Sequence, residues 1–285
     1  MSPLLLATEG GQVVAFDPAS GQHRSVFHSS DDEAMMGIEI DGPYLYVASL
    51  SRLYKLRLDD FSLVASTLLY DPTPDFHQMQ CYDGLLYVTA TKANQIWIFD
   101  EDLTLTLVHQ IPPPDPKKPV KYKKNYNHLN NIIREGDRFY IGLNWLTTTQ
   151  YANSGVLVTD TDLIEIERFE FGWETHDFQF LDGKKIAICA TSSKGKRVRH
   201  PYRSGLIVDG ELRFEHDAEE AFCKGLCYDD DYIYLCGGRK RERRHRRNSS
   251  SIIYILNRAD YSLARTFESS EIKAIKGAIR HQAPA

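Results

Sequence analysis

Short apolar runs punctuated by polar tips recur along the whole chain. "QVVAF" (Gln12–Phe16), "YLYVAS" (Tyr44–Ser49), "LLYVTA" (Leu85–Ala90) and "KKIAIC" (Lys184–Cys189) are typical. Their brevity and their Val, Ile, Leu and Tyr content predict strands rather than helices. Asp-Gly pairs at Asp41, Asp83 and Asp182, with "EGD" at Glu135 and "DDD" at Asp229, supply tight-turn chemistry between neighbouring runs.

The runs fall into a larger repeat. "DGPYLYVASLSRLYKLRLDDFSLVAS" from Asp41 and "DGLLYVTATKANQIWIFDEDLTLTLV" from Asp83 align directly. Units from Glu135, Asp182 and Asp229 follow the same order of strand, loop, strand, acidic turn, strand, after a first strand that precedes each turn. Four antiparallel strands repeated at roughly 40–50 residues predict a β-propeller blade. Five units are complete. Leu4–Phe27 holds the last three strands of a sixth, and Ile272–His281 holds a lone first strand whose "KGAIR" echoes "KGLCY" at Lys224 and "MGIEI" at Met36. The expectation is one all-β domain over residues 1–285, a six-bladed β-propeller whose ring is closed by the C-terminal strand joining the N-terminal blade, leaving few exposed edges. "IPPPDPKKPVKYKKNYN" (Ile111–Asn127) falls between two blades and reads as a surface loop, not a linker.

This organisation resembles the six-bladed propellers of the NHL and gluconolactonase-like superfamily, over the whole chain, on blade pattern and without a diagnostic motif. The resemblance implies the fold. Members include calcium-dependent lactonases whose metal sits on Glu, Asn and Asp side chains. Here the comparable strand starts carry His77, His128 and His176, so that calcium chemistry is not implied.

Those histidines stand where the chain enters a first strand, on three consecutive blades, and should ring one mouth of the central channel. His77 and His176 share a register when counted back from Asp83 and Asp182; Cys223 and Met35 share it when counted from Asp229 and Asp41. His128 is one residue out, and a one-residue shift reverses the face of a strand side chain. Three neutral imidazoles facing one space suit a divalent transition metal (Zn, Fe, Cu or Ni) with positions left open for water or substrate. The same side chains would also serve as acid or base without a metal, or simply line a wet channel. Cys223 is a fourth donor in the metal reading and a small core thiol otherwise. Asp75, Gln78, Asn127, Asn130, Asn131, Asp177 and Lys224 lie close to these strand starts. Asp177 follows His176 directly, so in a regular strand the two cannot face the same way. No nucleophile elbow, zinc-protease helix, phosphate loop or dinucleotide fingerprint occurs.

Net charge is −5, which excludes a polycation, and no apolar run is long enough to span a membrane. The apolar stretch in "MSPLLLATEGG" is too short for a signal peptide, and five cysteines lying mostly in strand-like runs read as reduced thiols. A cytoplasmic protein is the expectation. Yet the positive charge is concentrated. "GGRKRERRHRRNSS" (Gly237–Ser250), with seven Arg or Lys, and "SSKGKRVRHPYRSG" (Ser192–Gly205), with five, join second and third strands. Lys117, Lys118, Lys121, Lys123 and Lys124 enter the His128 strand. Strand alternation places all three loops on the face of the histidines. A cationic rim around a polar pocket concentrates anions, and Arg suits bidentate contact with carboxylate or phosphate. Arg199, Arg243, Lys224 and Asn127 are the candidate substrate-binding residues. Two function classes follow. One is an enzyme with a His-lined axial site acting on a small anionic substrate by hydrolysis, lyase chemistry or oxygen activation. The other is a non-catalytic module binding a protein or anionic polymer. Nucleic acid is disfavoured because aromatic residues for base stacking are sparse in the basic loops. Replacing Arg243, Arg244, Arg246 and Arg247 by Ser should change stability by no more than about 0.5 kcal/mol. The same change should weaken heparin binding and flatten its salt dependence, read by titration at several ionic strengths; an unaltered salt slope would leave the loop without a binding role.

Overall fold

The computed structural model describes residues 1, 3–29, 32–68, 74–113, 126–146, 153–190, 203–240 and 248–281. The long elements in that set are all strands, arranged as six four-stranded antiparallel sheets. The innermost strands are β4 (Met35–Asp41), β8 (Phe76–Tyr82), β12 (Leu129–Glu135), β16 (Thr175–Leu181), β20 (Ala221–Tyr228) and β24 (Ile275–Arg280). Each touches the next, β4 to β8 and onward to β24, and β24 returns to β4. That cycle is the ring of a six-bladed propeller.

Closure occurs where the sequence places it. The N-terminal blade runs β24, β1 (Leu4–Thr8), β2 (Gln12–Phe16), β3 (His23–His28), and β24 pairs with β1 through Leu4↔Arg280, Leu5↔Ile279 and Leu6↔Ala278. The closing blade then packs on its neighbour: Leu4, Leu6, Phe16 and Ile275 share a core with Tyr234 and Ile253, and all six are no more than 1% exposed. Similar cores fill every gap between blades, such as Tyr46, Leu53, Phe76, Val88 and Phe99. Outer strands are wetter, with Leu63, Leu107 and Ile166 about half exposed at 54%, 55% and 49%.

Inner hairpins turn through two residues, but not always the same two. Tyr82 pairs with Leu85, so Asp83 and Gly84 are the turn, both at positive φ (51° and 73°). Asp41 pairs with Tyr44, which leaves Gly42 and Pro43 as the turn and keeps Asp41 in the strand. Asp229 likewise stays outside its turn, its N–H donating to the Tyr232 carbonyl at 2.9 Å. Counting back from the acidic residue therefore misplaces Met35 and Cys223 by one position. The residues equivalent to His77 are Met36 and Lys224.

Loss of the closing strand would expose the edge of β1 and uncover Leu4 and Leu6. Deleting residues 272–285 should lower the melting temperature by about 10 °C or more and reduce soluble yield. Thermal denaturation of the truncated chain checks this; an unchanged midpoint would argue against terminal closure.

Candidate functional site at the upper axis

Every inner strand carries a bulge at the same level, where its pairing with the second strand skips: Met35/Gly37, Phe76/Met79, Leu129/Asn131, His176/Gln179, Cys223/Gly225, and Gly277/Ile275 opposite Ala7/Thr8. Aligned on that bulge, the six blades present Met36, His77, Asn130, His176, Lys224 and Lys276. The next positions are Gly37, Gln78, Asn131, Asp177, Gly225 and Gly277. A bulge breaks the strict alternation of a strand, so two successive side chains can face the axis. His176 and Asp177 do so, one towards the upper mouth and one towards the lower. This corrects the regular-strand expectation that they must part; Asp177 takes φ 49°.

His77 and His176 thus hold one position on two blades, as their common register implied. His128 holds a different one. It lies two positions before Asn130, equivalent to Asp75 and Glu174, and all three adopt positive φ (53°, 56° and 42°) as the chain swings into the strand. The left-handed turn brings the His128 ring edge-on to His77, with centroids 5.6 Å apart, and tilted against Trp145 at 5.3 Å. His176 feels the charges of Lys224, His77, His128 and Lys276, so the three imidazoles and two ammonium groups surround one space.

Hydrogen bonds set the His77 tautomer. Thr91 Oγ1 donates to the Leu129 carbonyl at 2.6 Å, so it accepts from His77 Nδ1 at 2.9 Å. The Nδ1 proton is thereby fixed, and Nε2 keeps its lone pair. Burial, then the Lys224 charge, holds the His77 pKa down to about 3. Burial likewise, followed by Lys224, His77, His128 and Lys276, keeps His176 well below 6.5. Both rings are neutral near pH 7. Lys276 forms a buried ion pair with Glu9, tying the closing strand to the first blade, and its Nζ lies 5.5 Å from the Phe222 ring centre.

The other predicted residues distribute unevenly. Lys224 joins the site. Asn127 is fully buried in the entry loop, where its N–H donates to Asn94 Oδ1 (3.0 Å) and its Nδ2 to the Trp145 carbonyl (2.8 Å). Cys223 is in the core between blades, its thiol pKa raised by burial. Arg199, Arg243 and the basic loops lie outside the described residues. Lys276 and Thr91 went unremarked in the strand-start count; the shared "KG" of Lys224–Gly225 and Lys276–Gly277 was the signal for the former. His77, His128 and His176 are the nitrogen donors a transition metal would use. Among the described residues no three His, Cys, Asp or Glu side chains are arranged to hold one.

No protein-family model and no curated protein matches the chain. Solved structures are similar in fold. A nidogen/laminin complex aligns at TM-score 0.65 and 10% identity over 98% of both chains. A protein of unknown function from Bacteroides caccae aligns at 0.67 and 8%, again over 98% of both. A virginiamycin B lyase from Staphylococcus aureus aligns at 0.52 and 14%, over 81% of this chain and 75% of its own. At such identities the likeness is one of β-propeller architecture.

The buried imidazoles make stability depend on pH. Unfolded, they bind protons near pH 6.5; folded, they do not, so they cost stability as the pH falls from about 6.5 towards 3. Asp177, raised to about 7 by burial, acts in the opposite sense, because its folded form takes up a proton first. The His77→Gln variant should therefore gain on the wild type as the pH is lowered from 7.5 to 4.5, by roughly 1.4 kcal/mol per unit below about 6. Paired urea titrations at each pH measure the difference; a constant gap would mean that His77 has the same pKa folded and unfolded.

Proposed function

We propose that the chain is an enzyme whose upper axial site carries out proton transfer on a small anionic substrate. The observation supporting this reading is the placement of two neutral imidazoles, His77 and His176, and two ammonium groups, Lys224 and Lys276, at one bulge position of the ring. Lys224 and Lys276 supply the charge that binds a carboxylate or phosphate. Their positive charge also depresses the imidazoles in the empty site. A bound anion offsets that charge, so the His77 pKa rises when substrate arrives. His77 Nε2 then accepts a proton from the substrate or from an attacking water, with Thr91 holding the opposite nitrogen in place. Elimination and hydrolysis both use this step. Oxygen chemistry would need a transition metal on His77, His128 and His176; two nearby ammonium groups raise the cost of placing a dication there. A cytoplasmic setting belongs to the same reading, in keeping with five unpaired cysteines. The alternative, a platform binding a protein or anionic polymer, draws on the basic sequences around Arg199 and Arg243, which lie outside the described residues.

Calorimetry with inorganic phosphate and citrate, together with metal analysis of untagged protein, tests the assignment. Lys224→Met should weaken anion binding at least tenfold, while His77→Gln keeps binding and abolishes turnover in a screen of small carboxylates and phosphate esters. Anion affinity should rise as the pH falls towards 6, because binding draws a proton onto an imidazole. Stoichiometric metal lost together in the His77→Ala and His176→Ala variants would move the mechanism to a metal centre. Absence of both anion binding and metal would favour the platform.

A further inference from the structure

The axial channel is divided at mid-depth. Gln78 reaches across from β8, its Nε2 donating to the Lys276 carbonyl (3.5 Å) and its Oε1 accepting from the Ile38 N–H (3.4 Å). Below that crossing a cavity of ≈310 Å³ opens on the face of the inner hairpin turns, away from the histidines. It has room for roughly ten waters at about 30 Å³ each, enough for one pyranose ring with solvent to spare.

Charges of both signs are interleaved around its wall. In ring order the inner strands contribute Arg280 from β24, Glu39 from β4, Gln80 from β8, Arg134 from β12, Gln179 from β16 and Tyr228 from β20. The two arginines stand on strands opposite each other across the ring, and so do Glu39 and Gln179. Glu135 follows Arg134, and Asp177 precedes Gln179 by two positions. A simple ion of either sign therefore meets like charge close to its opposite.

Several of these groups keep hydrogen-bonding capacity. Arg280 holds Asp230 through Nη1 (3.6 Å), but its Nε is buried without a hydrogen-bond partner among the described residues. A buried donor left unpaired is costly, and a ligand oxygen at that point removes the cost. The Arg134 guanidinium lies over the Tyr82 ring, 3.5 Å from its centre, a stacking contact that leaves its N–H groups able to donate. Gln179 commits its Nε2 to the Leu226 carbonyl (2.7 Å), which leaves its Oε1 to accept. Glu39 accepts from Gln80 Nε2 (3.1 Å) and the Cys81 N–H, fewer bonds than its two oxygens can take. Met79, Phe180 and Leu226 form apolar wall between the polar groups.

We propose that this lower axial cavity binds a neutral polyhydroxylated ring, a monosaccharide or cyclic polyol. Its hydroxyls donate to Glu39 and Gln179 and accept from Arg280 Nε and Arg134, with its C–H face against Met79, Phe180 and Leu226. A hydroxyl both donates and accepts, so one ring of them meets carboxyl, amide and guanidinium groups together. A charged ligand would satisfy one set and oppose the other.

Titration calorimetry on the full chain at pH 7.5 tests the proposal with D-glucose, D-xylose and myo-inositol, set against D-glucamine, D-glucuronate and cyclohexanol. Saturable 1:1 binding of at least one neutral polyol is expected, at least tenfold tighter than the cation, the anion or cyclohexanol. Glu39→Leu and Arg280→Met should each weaken it tenfold or more, and either variant suffices if the other fails to fold. No saturation by any neutral polyol up to roughly 10 mM would overturn it. So would preference for glucamine or glucuronate, equal affinity for cyclohexanol, or unchanged affinity in a folded variant.

Discussion

The innermost strand of each blade has a sequence neighbour on one side only. Its other edge faces the axis and the adjoining blade, where no strand completes the ladder, and its backbone groups still need partners. Side chains from the adjoining blade supply them. Thr91 Oγ1 donates to the Leu129 carbonyl, Asn130 Nδ2 to Thr175, Asn131 Nδ2 to Phe178, and Gln179 Nε2 to Leu226. Asp177 receives the Leu226 N–H, and Gln78 serves two blades at once. The polar character of the channel is therefore first a structural requirement of the ring. Chemistry is left to the side chains that this stitching does not consume.

That distinction sorts the axial residues. Asn131 and Gln78 look like ligand-binding amides in the sequence, yet they hold backbone. Asn127 does the same in an entry loop. His77 is intermediate: one nitrogen is anchored through Thr91 and the other is free to act, an arrangement that orients a base as well as a strut. His176 and Lys224 sit on the bulge above the stitched layer. Lys276 combines both roles, since its ion pair with Glu9 fastens the closing strand while its charge reaches His77 and His176.

The bulge gives the channel two chemically opposite ends. Above it, burial first and the Lys224 and Lys276 charges second keep the His77 and His176 imidazoles neutral. Below it, burial raises the Glu39 and Asp177 carboxyls above the usual carboxylate range. The two sides are separated by adjacent residues of single strands, His176 from Asp177 and His77 from Gln78.

Strand number, blade number and terminal closure were legible in the chain because they rest on local pattern: apolar alternation, two-residue turns, and the "KG" echo linking Lys224 to Lys276. The common place of His77 and His176 was legible for the same reason. The registers of Met36 and Lys224 were not, because Asp41 and Asp229 stay in their strands while Asp83 is in its turn, a difference of hydrogen bonding and not of residue type. Nor could period-two reasoning place His128 or Asp177. A left-handed residue at the strand entry and a bulge within it redirect side chains by backbone geometry, and that geometry is imposed by six strands crowding one axis. Local sequence thus determined which strands exist and how they close. The packed ring alone decided which of their side chains meet.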